Sequence, residues 1–144
     1  MEERFKAIHY ERDAGVGPAA MEQFGPAQAE KVRAFHRSFP EYAPTPLADL
    51  PHLARELGVA ALRVKDESHR FGLNAFKVLG GSYCLGRCVA ERLGLDPDSL
   101  TFAELTSPEV LAKIDGTTFV TATDGNHGRG VAWTAAKLKQ RCVV

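Results

Sequence analysis

Apolar positions along the chain fall into short runs whose period changes from segment to segment. Val32, Phe35 and Phe39 recur at spacings of three and four, which predicts a helix over residues 27–39. Pro40, Pro44 and Pro46 end it and force residues 42–47 into extended or turning backbone. Asp49, then Pro51, with Gly58 beyond, reads as the cap, first-turn proline and stop of a short helix. The apolar stretch 59–65, bounded by Gly58 and by Asp66-Glu67-Ser68, predicts a strand.

From residue 75 to 93 the pattern turns helical again. Phe76, Leu79, Tyr83, Cys84, Leu85, Cys88, Val89 and Leu93 wrap most of the cylinder, and only Arg87, Glu91 and Arg92 form a polar edge. Such a helix is expected to be largely buried, with Cys84 and Cys88 as small core residues. Gly80 and Gly81 inside it each cost about 1 kcal/mol against alanine, which points to a close approach to the backbone there. Residues 94–116 form a polar connection holding two small helices. One opens on the capping box Thr101-Phe102-Ala103-Glu104, stapled by Leu100, and the other on Ser107-Pro108. The β-branched stretch 117–123 predicts a strand. A glycine-rich turn follows, then a helix over 129–139 with Val131, Ala135 and Leu138 on one face. Cys142-Val143-Val144 opens a further strand, so the sequence is expected to be cut inside an apolar strand. Residues 1–27 have no clear period and read as an irregular lead-in. Helices and strands then alternate, the order of an α/β fold built on parallel sheets.

Charge narrows the functions. Lys+Arg is 18 and Asp+Glu is 18, giving a formal net charge of zero, which speaks against nucleic acid or an anionic membrane held by bulk electrostatics. No apolar run approaches the roughly 20 residues of a membrane span, and Met1-Glu2-Glu3-Arg4 does not open a signal peptide. The 3 cysteines include no C-x-x-C pair, which suits a reducing, cytoplasmic compartment.

Two places invite chemistry. Lys77 stands at the start of an apolar helix, where burial and the positive end of the helix dipole both disfavour an ammonium ion and favour a nucleophilic amine. The alternative is a lysine whose stem packs and whose head reaches water. At 121–128 a strand runs through a glycine-flanked turn into a helix, and the N–H groups of a helix start suit a carboxylate or phosphate. Asn126 can bond an aromatic oxygen. Asp124 is either a proton carrier or a simple helix cap. Gly125, Gly128 and Gly130 do not match a dinucleotide fingerprint, and His127 has no second metal ligand at useful spacing.

Several strings together resemble a known family. They are Thr45-Pro46-Leu47, Val64-Lys65-Asp66-Glu67-Ser68, Arg70-Phe71-Gly72-Leu73-Asn74-Ala75-Phe76-Lys77, and Thr123-Asp124-Gly125-Asn126-His127-Gly128-Arg129-Gly130-Val131-Ala132-Trp133. They look like pyridoxal-phosphate enzymes of fold type II, the tryptophan synthase beta-like superfamily, and within it most like the diaminopropionate ammonia-lyases. The resemblance covers residues 28–144. It implies the N-terminal part of a two-domain catalytic unit, with the Lys77 helix in the large domain and the Asn126 turn in the small one.

It also implies roles. Lys77 would hold pyridoxal 5'-phosphate as a Schiff base and then act as a base on one face of the substrate. Asn126 would bond the phenolic oxygen of the ring. The turn Thr123, Gly125, His127 would hold the carboxylate of a small amino-acid substrate, and Asp124 would be the acid/base group on the opposite face. The implied reaction is β-elimination turning 2,3-diaminopropionate into pyruvate and ammonia, by an enzyme usually found as a homodimer. A threonine or serine dehydratase is the neighbouring reading, and Asp124 in place of the serine usual there argues against it. An inactive piece that only binds a partner is the third. The family's glycine-rich loop for the cofactor phosphate, and its residue facing the pyridine nitrogen, find no match in this sequence.

Overall fold

The structure, a computed structural model, describes residues 24–123 and 125–144. Most of the expected lead-in, and Asp124, therefore lie outside the described residues. Helix α1 spans Pro26–Arg37 with the proline in its first turn. Strand β1 (Leu47–Asp49), helix α2 (Pro51–Glu56) and strand β2 (Arg63–Lys65) follow. A kinked 3-10 segment at Glu67–Gly72 leads to the long helix α3, Val78–Leu93. Short helices α4 (Phe102–Leu105) and α5 (Pro108–Lys113) precede strand β3 (Thr118–Val120), helix α6 (Asn126–Lys137) and strand β4 (Arg141–Val143).

The sheet is where the structure departs most from expectation. β3 and β4 pair in parallel across the α6 crossover, with Phe119 opposite Cys142. β1 and β2 pair antiparallel instead, with Ala48 opposite Val64. Bonds from Leu50 N to Leu62 O and from Asp66 N to Pro46 O, both 2.9 Å, lengthen that ladder at its two ends. The reason lies in the connection. α2 is 6 residues long, about 9 Å of helix, too short to carry the chain back along a strand for a parallel return. Asp49 belongs to β1 rather than capping α2, whose cap is Leu50 with no side-chain bond.

The two small helices form as their sequences require. Thr101 Oγ1 accepts from Glu104 N at 3.2 Å, and Ser107 Oγ accepts from Val110 N at 3.3 Å. The core gathers between α1, α3 and these helices, around Phe35, Phe39, Val78, Val89, Leu105, Ile114 and Leu138. Phe39 is its aromatic hub, 4.5 Å from Phe102 and 6.0 Å from Trp133 between ring centres. α3 buries one face only. Gly80, Cys84 and Cys88 lie on its exposed side, so the two cysteines are surface residues and not core.

α3 packs directly on α6. A Cβ at Gly81 would sit 3.5 Å from Val131 N, in ordinary contact, and one at Gly80 would meet nothing. The close approach expected at Gly80 and Gly81 falls on Gly130 instead, where a Cβ would lie 2.7 Å from the Cα of Val78. The Lys77 helix and the helix that follows the Asn126 turn are thus packed partners. Val120, Val143 and Val144 at the parallel strands stand exposed at 74%, 54% and 64%, which leaves an apolar surface uncovered. Among the described residues no helix is long and apolar enough to cross a membrane.

Candidate active site

Lys77 is the N-cap of α3, half-buried, between exposed Phe76 and fully buried Val78. Its carbonyl accepts the amide of Gly81 at 3.1 Å, the first backbone bond of the helix. The helix was expected from residue 75, and it starts at Val78 because the residues before Lys77 follow a tighter path. Phe71, Gly72 and Asn74 have φ of 48°, 69° and 57°. For the phenylalanine and the asparagine the left-handed region costs on the order of 1 kcal/mol or more each, so surrounding contacts must hold them there.

Those contacts are visible. Arg70 is only 7% exposed. Its Nε donates to Glu67 Oε2 at 2.8 Å and its Nη2 to Glu67 Oε1 at 2.9 Å, a two-pronged ion pair. Nη2 also reaches Thr45 Oγ1 at 3.2 Å and Nη1 the carbonyl of Ala43 at 3.2 Å. Thr45 Oγ1 in turn donates to Glu67 Oε1 at 2.5 Å, and Lys65 Nζ donates to the carbonyl of Thr45. The bonds from Arg70 hold the Glu67 carboxyl below its ordinary range against an upward push from burial. The same pairing raises the guanidinium. The ring of Phe71 lies 5.1 Å from Trp133 of α6 at 24° between planes, and 5.6 Å from Phe39.

The first turn of α3 is fixed from its other side by α1. His36 is 4% exposed, with Nε2 2.9 Å from Leu79 O and 3.3 Å from Ser82 Oγ. Burial lowers its pKa, against an upward pull from the Leu79 carbonyl, with nearby Arg70 pushing the same way as burial.

The turn before α6 is organised by Thr123. Its Oγ1 accepts from Gly125 N and from Gly128 N, each at 3.2 Å. Gly125 has φ 134° and ψ −77° and forms the N-cap of α6, a backbone conformation that only glycine takes readily. Gly128 is buried, and a Cβ there would lie 2.5 Å from Thr123 Cγ2 and 2.6 Å from Val144 Cγ1. Asn126 and His127 are exposed at the first two helical positions. α6 therefore begins at Asn126, three residues before the expected start, because the hydroxyl of Thr123 completes the turn. Asn126 lies one turn from Gly130, about 6 Å along the axis, and Gly130 rests on the residue after Lys77.

The predicted residues thus divide plainly. Lys77 and the turn carrying Thr123, Gly125, Asn126 and His127 stand at the starts of two helices that pack on each other through Val78 and Gly130, and Asp124 lies outside the described residues. The Arg70–Glu67–Thr45 network and the Phe71–Trp133 stack were missed as site features. Opposite charges three apart at Glu67 and Arg70 were the available signal for the first; nothing local signals the second. A primary amine at the start of α3, whose next residue packs on Gly130 of α6, has the chemistry to hold pyridoxal phosphate by its aldehyde.

Residues 39–144 match the family of pyridoxal-phosphate-dependent enzymes, and the chain belongs to it. Diaminopropionate ammonia-lyase of Salmonella typhimurium is 56% identical to it over 114 residues, which are 79% of this chain and 28% of that protein. The Escherichia coli diaminopropionate ammonia-lyase is 48% identical over 121 residues, 84% of this chain and 29% of that protein. The crystal structure of the Escherichia coli enzyme in apo form superposes with a TM-score of 0.74 at 48% identity, covering 83% of this chain and 31% of that one. The same enzyme in complex with an aminoacrylate-PLP azomethine reaction intermediate gives 0.71 at 48% identity, covering 83% of this chain and 28% of that one. The chain spans less than a third of the length of these relatives.

Proposed function

We propose that residues 28–144 are part of the catalytic unit of a pyridoxal-phosphate-dependent lyase that removes ammonia from 2,3-diaminopropionate and releases pyruvate and ammonia. The observation that supports this best is the Val78–Gly130 contact, which joins the Lys77 end of α3 to the first turns of α6. Pyridoxal phosphate, when bound, supplies an electron sink for the charge that develops at the substrate Cα. Lys77 would hold it through the ε-amine and, once released, take the Cα proton on one face. The Asn126 amide would bond the phenolic oxygen. The backbone of Thr123, Gly125 and His127 would hold the substrate carboxylate at the start of α6. The Thr123 hydroxyl, tied to the amides of Gly125 and Gly128, keeps that turn in shape. Asp124 would exchange a proton on the opposite face, which lets both enantiomers react.

The wider reading is an amino-acid-degrading enzyme acting in the cytoplasm as a homodimer. Free Cys84, Cys88 and Cys142 agree with a reducing compartment.

Reduction with borohydride in the presence of pyridoxal phosphate, followed by peptide mapping, tests the Lys77 assignment. The expected label sits on Lys77 and disappears in Lys77→Ala. Asp124→Asn is expected to lower pyruvate release from one enantiomer by about a hundredfold and leave the other nearly intact. Equal loss for both enantiomers refutes the role given to Asp124.

A further inference from the structure

We propose that Phe71 is a positioning residue for Lys77, acting through its stack on Trp133; this rests on the reading of Lys77 as the cofactor-holding amine. The backbone of Phe71 is left-handed, at φ 48°, although the residue is bulky and buried. A side chain serving only to fill the core has no need of that conformation, and strain of this kind persists where the surroundings over-determine it. Here two things do. Arg70, the preceding residue, is anchored to Glu67, Thr45 and Ala43. The Phe71 ring lies flat on Trp133, 5.1 Å between centres.

The consequence is directional. The chain leaves the 3-10 segment through Phe71 and Gly72, turns again at Asn74, and delivers Lys77 as the cap of α3. Trp133 stands on α6, two turns beyond Asn126. The stack therefore ties the segment that carries Lys77 to the helix that carries the Asn126 turn. Together with the Val78–Gly130 contact it gives two fixed points between the halves of the site. Two points remove the rocking that one contact would allow, and small errors in the placement of a reacting group are costly.

Trp133 is the single tryptophan of the sequence, which makes the test spectroscopic. The full chain is treated with pyridoxal phosphate and borohydride. Condensation of an amine with the aldehyde loses water, and hydride then fixes the product as a secondary amine. Labelled peptides are quantified as the ratio of Lys77 to Lys113, an exposed lysine on α5. Energy transfer from Trp133 to the fixed pyridoxyl group reports their separation. Phe71→Leu keeps an apolar side chain and loses the flat ring; Phe71→Tyr keeps the ring.

The expected result is a high Lys77 to Lys113 ratio in the native chain and in Phe71→Tyr, with equal energy transfer. In Phe71→Leu the ratio falls about tenfold and transfer weakens. A purely structural phenylalanine would lower the melting temperature of Phe71→Leu and leave the ratio and the transfer, read below the transition, unchanged; that outcome overturns the proposal. Should Phe71→Leu lose its helical circular dichroism, Trp133→Leu removes the same stack from the α6 side and is judged on the label ratio, with an unchanged ratio again decisive against. A native chain that shows no preference for Lys77 removes the Lys77 reading itself, and this proposal with it.

Discussion

At Gly130 a hydrogen is all that fits. A Cβ there would stand 2.7 Å from Val78 Cα and 3.0 Å from Val78 N, and both are backbone atoms that cannot swing aside. Gly130→Ala is therefore expected to push α6 off α3 and to cost about 1–3 kcal/mol, read from the denaturation midpoint. Gly80→Ala offers the contrast, since nothing lies within 4 Å of its Cβ position. That substitution is expected to be neutral or to stabilise α3 by up to about 1 kcal/mol. The sequence showed paired glycines in α3 and placed the close approach on them. It could not show which glycine faces a neighbour, because the rotation of a helix about its axis is set by what packs on it. Cys84 and Cys88 teach the same lesson. Their apolar character suited a core, and α3 turns them outward.

At the scale of elements, the segment between β2 and α3 depends on the Arg70–Glu67 pair. Arg70 is 7% exposed and the side chain of Glu67 21%, so solvent screens the pair little. Arg70→Met leaves the Glu67 carboxylate without its main partner and is expected to cost about 3 kcal/mol. The double variant Arg70→Met with Glu67→Gln removes the stranded charge and is expected to recover part of that loss. A double-mutant cycle measured by chemical denaturation gives the coupling; strict additivity of the two changes would mean that the pair contributes nothing. The caps at Thr101 and Ser107 were legible in the sequence, since each depends on a side chain and an amide three residues apart. The antiparallel β1–β2 ladder was not. The short α2 that brings the chain straight back was legible, but the three residues of β1 carry too little pattern to announce a strand.

Across the whole molecule, acid sensitivity should trace to His36. Its pKa is lowered from 6.5 in the folded chain, chiefly by burial, so the unfolded chain binds the proton more readily. Stability is then fully present above about pH 6.5 and falls as pH drops below it toward the folded value. The melting temperature is expected to decline between pH 7 and 5, above the ordinary carboxylate range. His36→Gln keeps a side-chain donor near Leu79 O and should flatten that decline; an identical slope in the variant would place the acid sensitivity elsewhere.

The sequence by itself determined which segments are helices, where two of them are capped, and which strings resemble a family of cofactor-dependent lyases. These are local properties, set by periodicity, capping side chains and turn glycines within a few residues of one another. Only the tertiary structure decided that the Lys77 and Asn126 segments share one helix pair, that Gly130 is the point of contact, and that Phe71 reaches Trp133. Such facts depend on how two helices roll and slide against each other. That is settled by the sum of many weak packing contacts between residues distant in the chain, which no single stretch of sequence records.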